Sequence, residues 1–90
     1  MKLVKRATAG TMESSDLMVT VEPAETLSVT VRSPVIIQFG DSIRASVLSV
    51  AGELGVEGAS IFVDDHGALD CAIRARVETA LVRASMEGSV

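Results

Sequence analysis

The chain has very little aromatic side-chain surface. Among its 90 residues there is no tryptophan or tyrosine, and the aromatic residues are Phe39 and Phe62. Hydrophobic residues still make up 48% of the chain, so aliphatic side chains have to build the interior. Stacking of bases on aromatic rings, which single-stranded nucleic-acid modules use, is therefore disfavoured.

Cysteine and histidine are equally scarce. The single cysteine, Cys71, cannot form an internal disulfide, and its apolar neighbours favour a small buried hydrophobe over a reactive thiol. The single histidine, His66, lies in a turn-like segment, where we expect it to be solvated and without a catalytic role. A metal site would need further carboxylate ligands at suitable spacing, and no such spacing occurs, so we predict no metal.

The chain also lacks a positive charge excess and a long apolar run. Twelve acidic side chains against eight basic ones give a net charge of −4, which opposes binding to nucleic-acid backbones and anionic membranes. No apolar run reaches membrane-spanning length or resembles a signal peptide. We therefore expect a cytoplasmic protein with neither nucleic acid nor membrane as partner.

The patterning predicts a flexible arm over residues 1–16 and one folded domain over residues 17–90. The first segment mixes cations with small residues and has neither a helical nor an alternating period. Apolar residues then alternate over residues 17–22 and 27–32, which predicts two strands joined as a hairpin through residues 22–26. A further strand is predicted over residues 59–63.

Two amphipathic helices are also predicted. Ser33-Pro34 is a start signal and Gly55 a stop signal, and between them apolar residues recur every three or four positions, at Ile36, Phe39, Ile43, Val47, Val50 and Leu54. A second helix begins between residues 68 and 73 and runs to about Met86, although residues 68–73 also alternate as a strand would.

These elements predict an α+β fold. Its sheet is small and largely antiparallel, with three to four strands in the order β-β-α-β-(β)-α, and two helices pack on one face.

Three segments carry a resemblance to a known family over nearly the whole chain. They are Ala9-Gly10-Thr11-Met12-Glu13-Ser14-Ser15-Asp16, then Val63-Asp64-Asp65-His66-Gly67-Ala68-Leu69-Asp70-Cys71, and Arg74-Ala75-Arg76-Val77-Glu78. In the sequence of these segments the chain resembles the acyl carrier (gamma) subunit of citrate lyase. His66 departs from the pattern, because lysine is common there in the family.

The resemblance implies a non-catalytic carrier with one modified serine. In the family, the first serine of the Glu-Ser-Ser-Asp segment, here Ser14, carries a covalent 2'-(5''-phosphoribosyl)-3'-dephospho-CoA arm. The thiol of that arm carries acetyl and then citryl while citrate is cleaved to acetate and oxaloacetate. The implied partners are the alpha (acyl transferase) and beta (citryl lyase) subunits and the transferase that attaches the arm. The carrier of malonate decarboxylase resembles this family and is the alternative.

Two other serines compete with Ser14. Ser15 is adjacent, and chemistry alone does not separate two neighbouring hydroxyls. Gly40-Asp41-Ser42-Ile43 looks like the phosphopantetheine site of ordinary acyl carrier proteins, but Ser42 falls inside the first predicted helix. There it belongs to a polar, solvent-facing stripe formed by Gln38, Ser42, Ser46, Ser49 and Glu53.

Charged residues near these segments have structural and functional interpretations. Asp70, Arg74 and Glu78 are spaced for exposed ion pairs along the second helix. Arg76 and Arg83 can meet the phosphates of the arm or an acidic partner. Glu13 and Asp16 flank the hydroxyl of Ser14 and either orient it, meet a cation of the attaching transferase, or keep the segment solvated.

Two other classes of function are possible on the sequence. A small interaction module without a prosthetic group would use a helix face or a strand edge to bind a partner chain. An enzyme acting alone ranks last, because one histidine, one cysteine and no glycine-rich phosphate loop leave few ways to assemble a catalytic site.

Overall fold

The computed structural model describes residues 1–34 and 36–86. Four strands and two helices follow one another along this part of the chain, in the order β1 (Ala7–Gly10), β2 (Leu17–Pro23), β3 (Leu27–Arg32), α1 (Ile36–Glu53), β4 (Ala59–Asp65) and α2 (Asp70–Ser85). Helix α1 ends two residues before Gly55 and α2 one residue before Met86, close to the predicted ends.

The strands form one sheet in the order β1-β2-β4-β3, with both helices on one face. The β1–β2 and β2–β4 pairs are antiparallel, and β3 is parallel to β4. Helix α1 makes the crossover that a parallel pair requires and packs on β3, while α2 packs on β1 and β2. The predicted α+β class, a largely antiparallel sheet with two helices, is confirmed.

The core of the described residues is aliphatic. Fully buried side chains come from alternate positions of β2 and β4 and from one face of each helix, and the largest of them are Leu17, Ile61, Leu81, Val19, Val21, Val47, Val63 and Val77. Ile43, Val47 and Val50 point into this core as predicted. Phe39 does not: it is 54% exposed, so its place on the core-facing stripe is a wrong prediction. The side chain of Ile36 lies outside the described residues.

The predicted hairpin between residues 17–22 and 27–32 is wrong, because β4 lies between these two strands. The connection of three residues is long enough for this. Four Cα steps from Pro23 to Leu27 span at most about 14 Å, and two strand spacings take about 10 Å. The connection crosses close to Gly58, where a Cβ atom would lie 2.2 Å from the carbonyl oxygen of Ala24. A side chain at position 58 would thus block the crossing.

The structure differs from the arm predicted over residues 1–16. Residues 7–10 form strand β1, paired with β2 from Ala7 opposite Val21 to Gly10 opposite Met18. Leu3 is buried in the core, and the amide of Val4 donates to the carbonyl oxygen of Ala84 at 2.8 Å. The strand is too short for a recognisable alternation, since Ala9 is its only buried residue.

Residues 70–73 belong to helix α2, so the helical interpretation of this segment is confirmed and the strand alternative is wrong. Burial of Cys71 was also a wrong prediction, because its side chain is exposed. Helix α2 buries Ile73 and Val77, and a residue two positions before Ile73 lies about 200° away around the helix. Neither helix of the described residues is long and apolar enough to cross a membrane.

Candidate functional site

Ser14 lies at the corner of a tight turn in the loop of residues 11–16, which joins β1 to β2. The amide of Asp16 donates to the carbonyl oxygen of Glu13 at 3.2 Å, so Ser14 and Ser15 are the two central residues of the turn. Ser14 is exposed, and within the described residues its hydroxyl has no hydrogen-bond partner. The Ser14 hydroxyl is therefore available to an external reagent or enzyme.

The carboxylate of Asp16 organises this loop. Its Oδ2 atom accepts hydrogen bonds from the hydroxyl of Thr11 at 2.7 Å and from Nη2 of Arg76 at 2.9 Å. Its Oδ1 atom accepts from the amide of Leu17 at 2.8 Å and from Nε of Arg76 at 3.3 Å. We call these residues, Thr11, Asp16 and Arg76, the Asp16 cluster. It ties the loop to helix α2, 60 positions further along the chain.

These donors stabilise the ionised form of Asp16. The hydrogen bond from Thr11, followed by those from Arg76 and the amide of Leu17, lowers the pKa of Asp16 from 3.8 to about 2. Because all these donors are already bound to the carboxylate, Asp16 is not free to orient the hydroxyl of Ser14. Of the two acidic neighbours, Glu13 alone has an exposed carboxylate without a partner among the described residues.

The lowered pKa predicts how the loop responds to acid. The unfolded chain binds this proton near pH 3.8 and the folded chain only near pH 2, so ionised Asp16 stabilises the fold fully above about pH 4 and loses this effect as the pH falls towards 2. We expect the melting temperature of the natural protein to exceed that of Asp16→Asn at pH 5–7. The difference should narrow between pH 4 and pH 2 in thermal unfolding followed by circular dichroism. A difference that keeps its size down to pH 2 would contradict the assignment.

A second set of contacts ties the loop to the end of β4. The amide of Ser15 donates to the carbonyl oxygen of His66 at 2.7 Å, and the amide of His66 donates to that of Asp16 at 2.9 Å. Ser15 has a φ of +63°, which costs a residue with a side chain about 1–2 kcal/mol. The hydrogen bond to His66 helps to offset that cost. It also fixes the backbone of Ser15, while Ser14 remains at the corner.

His66 differs from the solvated histidine that the sequence predicts. Its side chain is 35% exposed, and its Nε2 atom lies 3.3 Å from Oδ1 of Asp64. The neighbouring Asp65 is buried and accepts hydrogen bonds from the hydroxyl of Ser33 at 2.8 Å and from the amide of Ala68 at 3.0 Å. These contacts shape the turn on which the loop of residues 11–16 rests.

Gly10 fixes the base of the loop. It has a φ of +102°, and a Cβ atom there would lie 1.9 Å from the carbonyl oxygen of Leu17, which accepts the amide of Thr11. We expect Gly10→Ala to lower the free energy of unfolding by about 1–3 kcal/mol. Gly52→Ala is the matched control: a Cβ atom there meets nothing within 4 Å, and alanine inside helix α1 should raise stability by about 0.5–1 kcal/mol. Equal effects of the two changes in urea unfolding would refute this role of Gly10.

The competing site at Ser42 has a different setting. Ser42 is exposed on α1, six residues after the helix begins at Ile36, so it does not open a helix after a loop. The predicted solvent-facing stripe is wrong at Ser46, which is buried and donates a hydrogen bond to Asp70. Ser42 is exposed, as predicted, and lines a mostly apolar groove of about 410 Å³ between α1 and the start of α2, together with Phe39, Ile43, Asp65, Gly67, Ala68, Leu69, Asp70 and Ile73.

The arginines on α2 have separate partners. Arg74 pairs with Asp70 at 2.9 Å, as predicted, and lies 4.0 Å from Glu53, whereas the predicted pairing with Glu78 does not occur among the described residues. Hydrogen bonds from Ser46 and then Arg74 lower the pKa of Asp70. Arg83 donates to the carbonyl oxygen of Thr8 at 2.9 Å, two turns away from Arg76. The pairing of Arg76 with Asp16 was not predicted, since a single sequence gives no signal for a contact across 60 positions.

Comparisons of the sequence with known proteins identify the family of this chain. A family profile described as "ACP: Malonate decarboxylase delta subunit (MdcD)" matches residues 4–84. The citrate lyase acyl carrier protein of Haemophilus influenzae (strain PittEE) is 48% identical over 87 residues, covering 97% of this chain and 92% of the relative. That of Pectobacterium atrosepticum is 55% identical over 86 residues, covering 94% and 90%.

A solved structure confirms the fold. The chain is similar to one in a crystal structure of a Pseudomonas malonate decarboxylase hetero-tetramer in complex with malonate, with a TM-score of 0.77 and 23% identity over 89% of this chain and 84% of that one. An identity this low supports the fold alone. The profile match and the near-full-length relatives show the family: the chain belongs to the citrate lyase acyl carrier proteins.

Proposed function

We propose that this chain is the non-catalytic acyl carrier subunit of a cytoplasmic citrate lyase and that the hydroxyl of Ser14 is its attachment site. The attached group would be 2'-(5''-phosphoribosyl)-3'-dephospho-CoA, joined through a phosphodiester. When bound, this group supplies a thiol that carries acyl groups as thioesters. The observation that carries the proposal is the exposed Ser14 hydroxyl at the corner of an anchored turn, where no residue among those described forms a hydrogen bond with it.

The loop favours Ser14 over Ser15 as the acceptor. Both hydroxyls are exposed, but the backbone of Ser15 is held by its bond to His66 in a left-handed conformation. Ser14 stands at the outer corner, where an attaching enzyme can reach it from several directions. A modifying active site has to surround its target, and exposed loop tips permit this.

Among the described residues, no side chain accepts a hydrogen bond from the Ser14 hydroxyl. The carboxylate of Asp16 is occupied by the Asp16 cluster, and the carboxylate of Glu13 is exposed and points to no partner in this part of the chain. The proton of the Ser14 hydroxyl therefore has to be taken by the attaching transferase. The contribution of this chain is to hold the hydroxyl at a fixed place while the transferase supplies the chemistry.

The proposed work of the carrier is to deliver an attached acyl group to two partner active sites. Tethering makes each encounter effectively intramolecular, with an effective concentration of about a millimolar for a short flexible linker. The partners would be the alpha (acyl transferase) and beta (citryl lyase) subunits. This division of labour requires no catalytic residue in the carrier.

Intact-mass measurement tests the attachment directly. The chain is expressed with and without the attaching transferase and the enzyme that makes its precursor, and both products are digested and sequenced by mass spectrometry. We expect an added mass that depends on these enzymes and maps to Ser14. Modification at Ser42 would instead identify a conventional phosphopantetheine carrier, and no adduct would favour an interaction module without a prosthetic group.

The carrier of malonate decarboxylase is the second candidate. The description of the matching profile favours it, whereas relatives at 48–55% identity favour citrate lyase. Reconstitution with purified subunits separates the two. The modified carrier should restore citrate cleavage to carrier-free citrate lyase subunits and should not restore malonate decarboxylation to the corresponding malonate decarboxylase subunits.

A further inference from the structure

The most exposed large apolar side chains lie at one end of the domain. Leu69 is 73% exposed, and Met12 and Phe39 are each 54% exposed. The other exposed large hydrophobic residues among those described are 37–44% exposed. Such surface costs free energy in water unless a partner covers it, and contiguous apolar surface commonly marks an interaction site.

The topology brings these three residues to the same end as Ser14. Strand β2 begins there, and β3 and β4 end there, so both helices also begin there. We call this region the Ser14 end. It comprises the loop of residues 11–16, the connection of residues 66–69, and the first two turns of α1 and α2. The bond from Ser15 to the carbonyl oxygen of His66 joins the loop to that connection.

A groove makes this surface concave. Its volume of about 410 Å³ lies between Phe39 and Ile43 on α1 and Leu69 and Ile73 at the start of α2, and Gly67 lines its edge. Gly67 is one residue from His66, so the groove begins beside the loop that carries Ser14. An apolar side chain from another protein can fill a depression of this kind.

The Ser14 end also carries an excess of negative charge. Within the described residues it has four carboxylates against two guanidinium groups, namely Glu13, Asp16, Asp41 and Asp70 against Arg74 and Arg76. Both arginines are already paired, Arg74 with Asp70 and Arg76 with Asp16, so Glu13 and Asp41 account for the excess. A surface complementary to this end therefore has to be positively charged around an apolar centre.

We propose that the Ser14 end is the docking surface for the partner subunits that process the acyl group. It would receive an apolar side chain, ringed by lysine and arginine, from the rim of each partner active site. Phe39 and Leu69 are its anchors. The inference rests on the proposed function, because an arm attached at Ser14 has to enter an active site whose rim then faces the surface around Ser14.

The charge distribution disfavours the attached arm itself as the occupant of the groove. A phosphate-bearing group next to this excess of carboxylates would be repelled, whereas a basic protein surface would be attracted. The groove is also open to solvent on the side where exposed Leu69 and Phe39 stand, which suits a surface contact.

The test compares two double variants of the modified carrier. Phe39→Ser with Leu69→Ser removes the anchors, and Leu48→Ser with Phe62→Ser removes a leucine and a phenylalanine of 42% and 38% exposure away from the Ser14 end. Met12 stays unchanged, because it lies in the loop that the attaching transferase has to bind. Each carrier is checked for its adduct by intact mass and for its melting temperature. Each is then supplied at increasing concentration to the alpha and beta subunits.

We expect the anchor variant to raise KM for the carrier at both subunits about tenfold or more, since each lost anchor is a buried contact in the docked complex. The control variant should stay within about twofold of the natural protein. A modified anchor variant with unchanged KM overturns the docking surface while leaving the carrier function intact. Absence of the Ser14 adduct in the natural protein overturns the carrier function itself.

One further result would overturn the choice of occupant. Amide exchange of residues 66–73 is measured in the bare and the modified carrier without any partner subunit. We expect equal exchange in the two forms. Slower exchange in the modified form alone would show that the attached group, and not a partner protein, fills the groove.

Discussion

Ser14→Ala should abolish citrate cleavage by a complex reconstituted from the three subunits and should carry no added mass after treatment with the attaching transferase. The hydroxyl oxygen of Ser14 is the proposed point of attachment, and alanine has no atom that can form the phosphodiester. The fold should be unaffected, because the Ser14 side chain is exposed and contacts no hydrogen-bond partner among the described residues. Activity is measured as oxaloacetate formation, with the melting temperature of each carrier as the check on folding.

Ser15→Gly is the matched control for this experiment. It removes the neighbouring hydroxyl, and glycine adopts the φ of +63° at this position without strain, so the turn should be kept or stabilised. We expect it to retain both the adduct and the cleavage activity. Loss of the adduct in Ser15→Gly together with its retention in Ser14→Ala would move the attachment site by one residue.

The loss of activity follows from the loss of tethering. Without an attached thiol, the alpha and beta subunits depend on free acyl thioesters, and each transfer then becomes a bimolecular step. The effective concentration of about a millimolar that tethering gives the acyl group is then lost. Adding a free thioester of the same acyl group to the Ser14→Ala complex should restore activity only in proportion to the concentration of that thioester.

Local patterns in the sequence predict most elements of this fold but not their arrangement. Alternation over residues 17–22 and 27–32 correctly marks β2 and β3, and helical spacing marks α1 and α2. Their pairing depends on β4, which inserts between β2 and β3 from more than 25 residues further along the chain. Hairpin pairing is the default for strands this close in sequence, but here β4 pairs with β2 on one side and with β3 on the other, along nearly its whole length.

Short elements and single exposed residues escape these patterns for a similar reason. Strand β1 has four residues and one buried side chain, so its period is too brief to detect. Phe39 has helical spacing with Ile43, yet it lies over the open groove at the end of the sheet and remains exposed. Spacing gives the direction of a side chain on its own helix. It does not show whether another element covers that direction.

The sequence likewise predicts one part of the candidate site and not the other. Ser14 follows from the resemblance of its segment to a family motif, and its exposure agrees with a loop of small polar residues. The contacts that hold the loop come from Arg76 and His66, which are 60 and 50 positions from Asp16. Their types are ordinary in the sequence, and only the folded backbone brings them to the loop.

Asp16→Ala should reduce kcat/KM of the attaching transferase for this carrier about a hundredfold, while the adduct still maps to Ser14. Without the carboxylate, the hydroxyl of Thr11, the amide of Leu17 and the guanidinium of Arg76 lose their shared acceptor, and the turn is no longer tied to α2. A displacement of a reacting group by about 1 Å can cost a factor of this size. Initial rates of mass addition at several carrier concentrations give the value.

Glu22→Ala is the control, because it breaks an exposed ion pair with Arg6 at 3.1 Å at the opposite end of β2. It should leave the transferase rate within about twofold.

The double variant Asp16→Ala with Arg76→Ala adds a second test of positioning. If both residues act through one contact, the double variant should lose little more of the transferase rate than Asp16→Ala alone. Additive losses would mean that Arg76 serves the transferase independently, and an unchanged rate in Asp16→Ala would show that the turn holds Ser14 in place without the Asp16 cluster.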